Sequence, residues 1–544
     1  MNFGQQNPAN ERADQSPVYR ALWSAVDCPQ QLFQSADDPV PAHVELVMSA
    51  SLQVLQQHRE RGTLRGTDNK NSDAVIRELG RAGYWGLLVA RDYGGSGCGL
   101  RHFLPFLTRA ATIDAPFAGL AAVHGCIGAV DPLQSFGSPA QQQRYLPALA
   151  RGDKLSAFAS TEPAAGSDLR RIRTIAVRAG NELRLTGQKA FVTNLAPGRT
   201  IGLLCRLEDQ LAVVVVDLPA EENQQFSLVP NPLHPLRHTI NQGMKLTNFA
   251  VPLDSLLAPP AGKDGLAIVY HGLNRGRAAI AALAAGHLRA ILGGMLAWAR
   301  YRHVQGQPLA ATELVQARVA RVAALIAGCD ALAAWCGTLL DAGYRCELEA
   351  MIAKVFASQA VKEAALNLAL PTHGGRFFLR GQATGDNAYD YLAPCIYEGE
   401  NDLLGLAMIH ALAKKPARRS KDEESRRSNA LPAEWGAMGA ELEQLLDSNG
   451  KLGGTQSQLL ELAQRIQAVT ALTVIQAWQQ QSPNQLQQSA AELLCQQMQR
   501  TLSGTRATPN ERACEVQLGR EILTSDPAWL GPVAEFEIPL SYDA

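Results

Sequence analysis

The sequence predicts a mainly helical α+β protein: an N-terminal helical domain, a middle β domain of barrel-like character and a C-terminal four-helix bundle, followed by a helical extension. Three features lead to this fold class. Apolar residues recur at helical spacing from about 40 to 150, short β-type runs replace them from about 155 to 260, and long apolar helical patterns return from about 265. With 544 residues, 46% of them hydrophobic and 19% charged, the chain is long enough for several domains with substantial cores.

Each element has its own signal. Residues 1–35 are rich in Gln, Asn, Pro and Asp without lasting apolar periodicity, which predicts a flexible arm. Over 36–154, segments such as PAHVELVMSASLQVLQQH are divided by Gly and Pro punctuation, including RDYGGSG at 91 to 97, and predict a helical domain. Over 155–262 the runs IRTIAV, ELRLT, KAFVTN, TIGLLCR, LAVVVVD and FSLV, separated by turn residues, predict strands. Within 263–415, helices are expected at 278 to 304, 347 to 367 and 402 to 413. A further one carries Val315, Val319, Val322, Ile326, Cys329, Ala333, Cys336 and Leu340 on a single face, as bundle packing requires. The charged stretch KKPARRSKDEESRRSN predicts an exposed linker over 416–430. In the extension, 431–544, Leu459, Leu462, Ile466, Val469 and Leu472 recur at three- and four-residue steps opposite a Gln-rich face with almost no Lys or Arg. A membrane-surface helix wants basic residues there, so this stripe is expected to dock on the chain's own body.

Charge narrows the function classes. Lys plus Arg (50) balance Asp plus Glu (51), and residues 431 to 544 hold about 13 acidic against 6 basic side chains, which repels nucleic acid. The start, MNFGQQNPANERADQ, lacks the pattern of a signal peptide, and no stretch reaches roughly 18 uninterrupted apolar residues, so neither a membrane span nor export is expected. Ten scattered cysteines without a C-x-x-C pair predict small buried residues in a reducing compartment, the cytoplasm. No metal site is expected, because His234, His238, His271 and His303 lie in separate segments without ligand spacing. The lack of G-x-G-x-x-G after a strand leaves a Rossmann dehydrogenase without support.

Three segments carry chemistry. FASTEPAAGSD, Phe158 to Asp168, breaks a strand into a loop of small and hydroxylic residues, whose N–H and O–H groups lie open to a cofactor's polar edge. GQKAFVTN, Gly187 to Asn194, is a strand whose alternation sends Phe191 and Thr193 to one face, a ring for packing and a hydroxyl for hydrogen bonding. Pro371 to Met408 contains a Gly-Gly turn and then Tyr-Glu-Gly before a last helix with Asn401 or Asp402 as N-cap. Glu398 there is flanked by apolar residues, and partial desolvation is expected to raise its pKa as a general base for a carbon acid needs. Taken singly, each segment is an ordinary turn, strand or loop.

Together, in this order and spacing, they resemble the acyl-CoA dehydrogenase family over about residues 40 to 415. The resemblance also includes DYGGSG at 92 to 97, FGSPAQQQRYLPALARGD at 136 to 153, LTNFAVPLDSLL at 246 to 257, LNRGR at 273 to 277 and RYRHVQGQPL at 300 to 309. It implies FAD lying between the β domain and the bundle, faced by Thr161 and Thr193, with Phe158, Ser160 and Ser167 on the flavin loop and Ser167 shared with the substrate. Phe191 stands where the family usually has Trp. Arg302 matches the arginine on the FAD phosphates, Gly374 and Gly375 the turn that cradles a neighbouring subunit's cofactor, and Arg277 an arginine of the substrate region. Glu398 matches the catalytic base, while Gly276 occupies the base's alternative location, so no carboxylate competes.

The implied reaction is FAD-dependent α,β-dehydrogenation of an acyl-CoA thioester, Glu398 taking the α-proton and flavin N5 the β-hydride, with electrons passing to an electron-transfer flavoprotein. The alternatives are the same chemistry on an acyl-carrier-protein thioester, a flavin oxidase of the same fold, or a non-catalytic interaction protein. A homo-oligomer is expected, a homodimer in particular, with the extension occupying the surface that shorter members give to another pair of subunits. Glu400, Asp402 and Gln305 depart from the family's Thr, Gln and Phe at positions of cofactor grip.

Overall fold

The computed structural model describes residues 16–24, 28–36, 38–414, 432–447, 449–525 and 528–530; the expected linker at 416–430 lies outside them. In chain order the helices before the sheet are α1 (Pro17–Ser24), α2 (Ala42–Glu60), α3 (Asp73–Ala82), α4 (Leu100–Ala122), α5 (Val130–Phe136) and α6 (Pro139–Arg151). The strands are β1 (Ser156–Ala159), β2 (Ile175–Ala179), β3 (Glu182–Thr193), β4 (Thr200–Leu207), β5 (Gln210–Asp217), β6 (Phe226–Pro230) and β7 (Asn241–Pro252). Next come α7 (Leu266–Tyr301), the two-residue strands β8 (His303–Val304) and β9 (Gln307–Pro308), α8 (Glu313–Asp341), α9 (Glu347–Glu363), and the short α10 (Leu370–His373), α11 (Ala383–Asp386) and α12 (Ala388–Leu392). The chain continues with α13 (Asn401–Leu412), α14 (Glu434–Gln444), α15 (Gln456–Gln481), α16 (Gln485–Ser503) and α17 (Pro509–Thr524). Local chemistry sets several starts: Ser138 with Gln141, Thr455 with Gln458 and Thr508 with Glu511 form reciprocal capping boxes that satisfy the first N–H groups of α6, α15 and α17.

Two compact units divide the chain. The described part of the first is Asp38–Ala279 with Leu340–Arg345. Its seven-stranded sheet runs β1-β4-β2-β3-β7-β6, with β5 also pairing β4. Along β5 the side chains alternate between two cores. Leu211, Val213 and Val215 join Leu133, Leu146 and Leu149 of the helical domain, together with Leu266 and Ile268 at the start of α7. Val214 and Val216 join Leu183, Leu185 and Met244 on the other face. Burial on both faces accounts for the unbroken apolar run LAVVVVD, and each such valine contributes about 1.5–3 kcal/mol of burial.

The described part of the second unit is 16–24, 28–36, Ile280–Leu339 and the described residues from Cys346 onward. All eight residues of the predicted α8 stripe are buried, but so are Ala320, Ala323, Ala324 and Ala327 on its other faces. The helix is covered nearly all round rather than along one seam, because the extension reaches it: a Cβ on Gly328 would lie 2.6 Å from both Leu494 of α16 and Phe356 of α9. The stripe Leu459, Leu462, Ile466, Val469 and Leu472 of α15 is buried, and Gly405 of α13 is where Leu460 and Ala463 approach.

The expectation of a flexible arm is corrected where residues are described. Helix α1 buries Val18, Ala21 and Leu22, and Phe33 is fully buried with ring centroids 5.8 Å from Trp335 and 6.1 Å from Trp435. Trp335 Nε1 donates to Leu32 O at 2.7 Å. The partners lie about 300 and 400 residues away in sequence, so no local periodicity announces them.

Three helical stretches, Leu100–Phe136, Leu266–Tyr301 and Glu313–Asp341, are long and apolar enough to cross a membrane by length and composition, which an unbroken-run criterion missed. Their most apolar windows are 67%, 83% and 83% buried inside the protein. Eight of the ten cysteines are buried; Cys395 is half-buried and Cys514 exposed.

Candidate active site

The first unit gathers the two β-domain segments. Fully buried Lys189 of β3 donates from Nζ to Ser160 O and to Glu162 Oε1, both at 2.9 Å, and the Ala190 N–H donates to Thr161 O at 3.0 Å. The loop's carbonyls are thereby stitched to the strand on either side of Thr161. Burial alone would raise the Glu162 carboxyl, but hydrogen bonds from Thr174, Arg173 and Lys189 outweigh it and hold the group below its ordinary value. Burial lowers Lys189 despite its partner.

Strand β3 is bulged here. Lys189 pairs with Met244 and Val192 with Gln242, so β3 carries one residue more than β7 between those pairs, and Phe191 takes φ +56°. The bulge shifts the alternation: Lys189 and Ala190 are both buried, then Phe191 (57% exposed) and half-buried Thr193 flank buried Val192. The Phe191 N–H donates to Asn231 Oδ1 at 3.0 Å. Thr193 Oγ1 donates to Asn241 Oδ1 at 2.7 Å, which leaves its lone pairs able to accept.

Phe158, on β1, is half-buried against the helical-side core beside Gly202 of β4, where a Cβ would come within 2.5 Å of its ring. Ser160 and Thr161 are half-buried and Ser167 is exposed. Arg277 is 3% exposed, its Nη1 donating to Asn274 Oδ1 at 3.4 Å. Nearer the start of the same helix, His271 and Arg275 meet Asp131 of α5, a group that residue patterns alone did not single out. His271 Nδ1 is 2.8 Å from Asp131 Oδ2 and Arg275 Nε 3.0 Å from Oδ1. Burial would raise Asp131, and these two partners more than offset it.

The second unit carries the remaining residues. Arg302 is exposed just beyond α7, and its N–H donates to Trp298 O at 2.9 Å. Gln305, the departure noted above, takes φ +53° with Gly306 at +78° and forms the two-residue turn between β8 and β9. Gly374 (φ +61°) and Gly375 follow α10, and a Cβ on either would meet nothing within 4 Å. Trp298 ties these places together: the Arg376 guanidinium lies 4.6 Å from its ring and His373 packs 6.5 Å away. His373 is buried with neither ring nitrogen hydrogen-bonded, and burial, with Arg376, pushes its pKa down to about 4.

Glu398 is half-buried at φ +56°, followed by Gly399 at φ +111°. A non-glycine residue in the left-handed region costs of order 1 kcal/mol or more and persists only where its surroundings impose it. Two constraints are visible. Glu400, not Asn401 or Asp402, is the N-cap of α13, its carboxylate accepting from Asp402 N at 3.2 Å and Leu403 N at 3.0 Å. Asn401 is turned inward instead, where its Oδ1 accepts from Lys354 Nζ at 2.9 Å and its Nδ2 donates to Ser358 Oγ at 3.0 Å. Fully buried Lys354 also donates to Gly399 O. Tyr397 is pushed above its ordinary range by burial and then by the Glu398 charge. Glu400 thus has a structural task, and Lys354 and Ser358 were missed because nothing in their helical segment marks them.

Comparison with known proteins identifies the family. Acyl-CoA dehydrogenase N-terminal, middle and C-terminal domain profiles match residues 52–153, 157–246 and 263–412. An acyl-CoA dehydrogenase of Bacillus subtilis (strain 168) is 31% identical over 332 residues, 60% of this chain and 86% of that protein. A Bacillus anthracis acyl-CoA dehydrogenase complexed with FAD has a similar fold, with a TM-score of 0.72 at 18% identity over 91% of this chain and 98% of its own. That coverage exceeds the part ending at Lys414, so the likeness extends into the C-terminal helices. A prolyl acyl carrier protein oxidase is similar over 68% of this chain and 99% of its own, with a TM-score of 0.61 at 22% identity. The chain therefore belongs to the acyl-CoA dehydrogenase family and is an oxidoreductase acting on a CH–CH bond.

Proposed function

We propose that the chain desaturates an acyl-CoA thioester between its α and β carbons, with Glu398 as the base that removes the α-proton. The observation that carries this reading is the Glu398 turn: a carboxylate at the family's matched position, held left-handed between a buried lysine and a capping carboxylate. FAD is the cofactor, and the residues present suit it. An exposed aromatic ring and a threonine oxygen with free lone pairs lie side by side on β3. The Gly374–Gly375 turn offers room that any side chain would fill, beside a buried histidine whose nitrogens have no partner.

When bound, FAD supplies the acceptor for the hydride that leaves the β-carbon. In this reading Phe191 packs against the flavin, Thr161 and Thr193 hydrogen-bond its edge, and Phe158, Ser160 and Ser167 complete that loop. Arg302 holds the phosphates, and Gly374 and Gly375 admit a cofactor from a neighbouring subunit. Arg277 and Ser167 serve the substrate. The chain's family supports transfer of electrons to an electron-transfer flavoprotein. The exposed Phe378, Leu379, Tyr389, Ile396 and Leu403 support a homodimer, since so many large apolar side chains in one segment need a partner surface. Ten cysteines without a disulfide support a reducing compartment, and we place the protein in the cytoplasm.

The test is single-turnover flavin reduction under anaerobic conditions, run with a series of acyl-CoA thioesters and repeated with acyl-carrier-protein thioesters. Glu398→Gln keeps the shape of the side chain and removes the lone pair that receives the proton. The expected loss is at least about 10²- to 10⁴-fold, with FAD content unchanged. Reduction within tenfold of the parent rate would remove Glu398 from the mechanism, and faster reduction by carrier-protein thioesters would replace CoA by the carrier.

A further inference from the structure

We infer that Lys354 is the positioning residue for the base: its ammonium sets the orientation of the Glu398–Gly399 turn and thereby the aim of the carboxylate. The inference rests on the assignment of Glu398 as base. Lys354 lies on α9, among Ala350, Ala353, Ala357 and Val361, all buried, and its own side chain is fully buried. A methionine or leucine would fill such a position without the cost of taking a charge out of water. The ammonium is instead used on two acceptors that flank the turn in sequence, Gly399 O and, at 2.9 Å, Asn401 Oδ1.

Asn401 is held in turn. Its Nδ2 donates to Ser358 Oγ at 3.0 Å, and Ser358, one helical turn beyond Lys354, donates to Val355 O at 3.0 Å. Lys354, Ser358 and Asn401 are 0%, 0% and 5% exposed, so this chain of hydrogen bonds runs in low dielectric, where it is strong and specific in geometry. Glu398 and Gly399 both sit at positive φ, and the Gly399 carbonyl leads straight out of this left-handed pair into the Gly399–Glu400 peptide. Fixing that carbonyl fixes the peptide plane between Gly399 and Glu400, the exit of the turn, and so limits how the Glu398–Gly399 pair that leads into it can turn. The capping hydrogen bonds of Glu400 fix the turn from its other side, on α13. Lys354 makes its contact through the backbone of the turn, so it acts on geometry rather than as a proton carrier.

The experiment uses the FAD-loaded full-length enzyme and compares Lys354→Met, Glu398→Gln and the double variant. Flavin reduction in a single turnover is read together with thioester affinity from the flavin absorbance change and with FAD stoichiometry. Misplacement by about 1 Å costs about 10²-fold in rate. Lys354→Met is therefore expected to slow reduction about 10²-fold with thioester affinity within threefold of the parent, and to add nothing further to Glu398→Gln. Asn401→Ala, which removes one of the two acceptors, gives the same pattern with a smaller loss, and decides the matter if Lys354→Met does not fold. The inference is overturned if these variants reduce flavin within threefold of the parent, or if their losses multiply with that of Glu398→Gln, which marks a fault spread through the fold. Failure of the base assignment is distinguishable, because Glu398→Gln alone would then keep the parent rate.

Discussion

Replacing Gly399 by alanine tests the strained turn directly. At φ +111° an L side chain has no low-energy conformation, and an ideal Cβ would lie 2.7 Å from Leu404 Cδ2 and 3.0 Å from its Cγ. Leu404 is 5% exposed and packed, so it must shift by several tenths of an ångström or more to restore ordinary contact. The backbone strain is worth about 1–3 kcal/mol and the overpacking about 1–3 kcal/mol. If the turn holds its shape, the unfolding free energy falls by about 2–6 kcal/mol, the sum of these two terms. If the turn rearranges instead, stability is partly recovered, but Glu398 moves with it, and a displacement near 1 Å slows flavin reduction about 10²-fold. Chemical denaturation and anaerobic single-turnover reduction on one preparation separate the two routes. A variant with an unchanged unfolding midpoint and a rate within threefold of the parent would refute the claim that this turn is both strained and responsible for aiming the base.

Three further predictions concern the scaffold. His124 is buried and neutral, with Nδ1 accepting from Ser156 N at 3.0 Å and Nε2 donating to Leu149 O at 3.2 Å, and burial pushes its pKa down to about 4. The unfolded chain, at about 6.5, then binds the proton first, so stability is lost as pH falls from about 6.5 to about 4, at up to about 1.4 kcal/mol per pH unit. His124→Gln should show a shallower loss over that window in denaturant titrations, and an unchanged slope would contradict the assignment. Ending the chain after Lys414 strips Leu460 and Ala463 from the Gly405 face of α13 and Leu494 from α8, and is expected to give aggregated protein by size-exclusion chromatography with light scattering. A monodisperse truncated protein with the parent's assembly state would contradict it. Gly95→Ala would place a Cβ 2.0 Å from Val89 O, a backbone atom with nowhere to go, so the variant should fail to accumulate in soluble form. Parent-like soluble yield and melting temperature would show that the loop can open.

Much of the fold was legible in the sequence because the signals are local. Periods of 3.6 and 2 residues separate helix from strand within a short window. The α15 stripe announces by its spacing alone that it will be buried. The candidate residues were found by resemblance rather than by local chemistry, since a lone Tyr-Glu-Gly or Phe-Val-Thr is compatible with any loop or strand.

The tertiary structure decided whatever depends on partners distant in the chain. Phe33 and α1 read as an arm because Trp335 and Trp435 lie hundreds of residues away. Asn401 reads as a cap by position, yet Lys354 and Ser358 on another helix draw its amide inward and leave the capping to Glu400. The phase of β3 turns over at Lys189 and Ala190, where Lys189 reaches the buried Glu162 carboxylate and the register against β7 slips by one residue. Periodicity reports which face of an element is apolar. Which atoms meet across elements, and so how Glu398 is held, is set by packing that brings residues 354, 399 and 401 within hydrogen-bonding distance only in the folded chain.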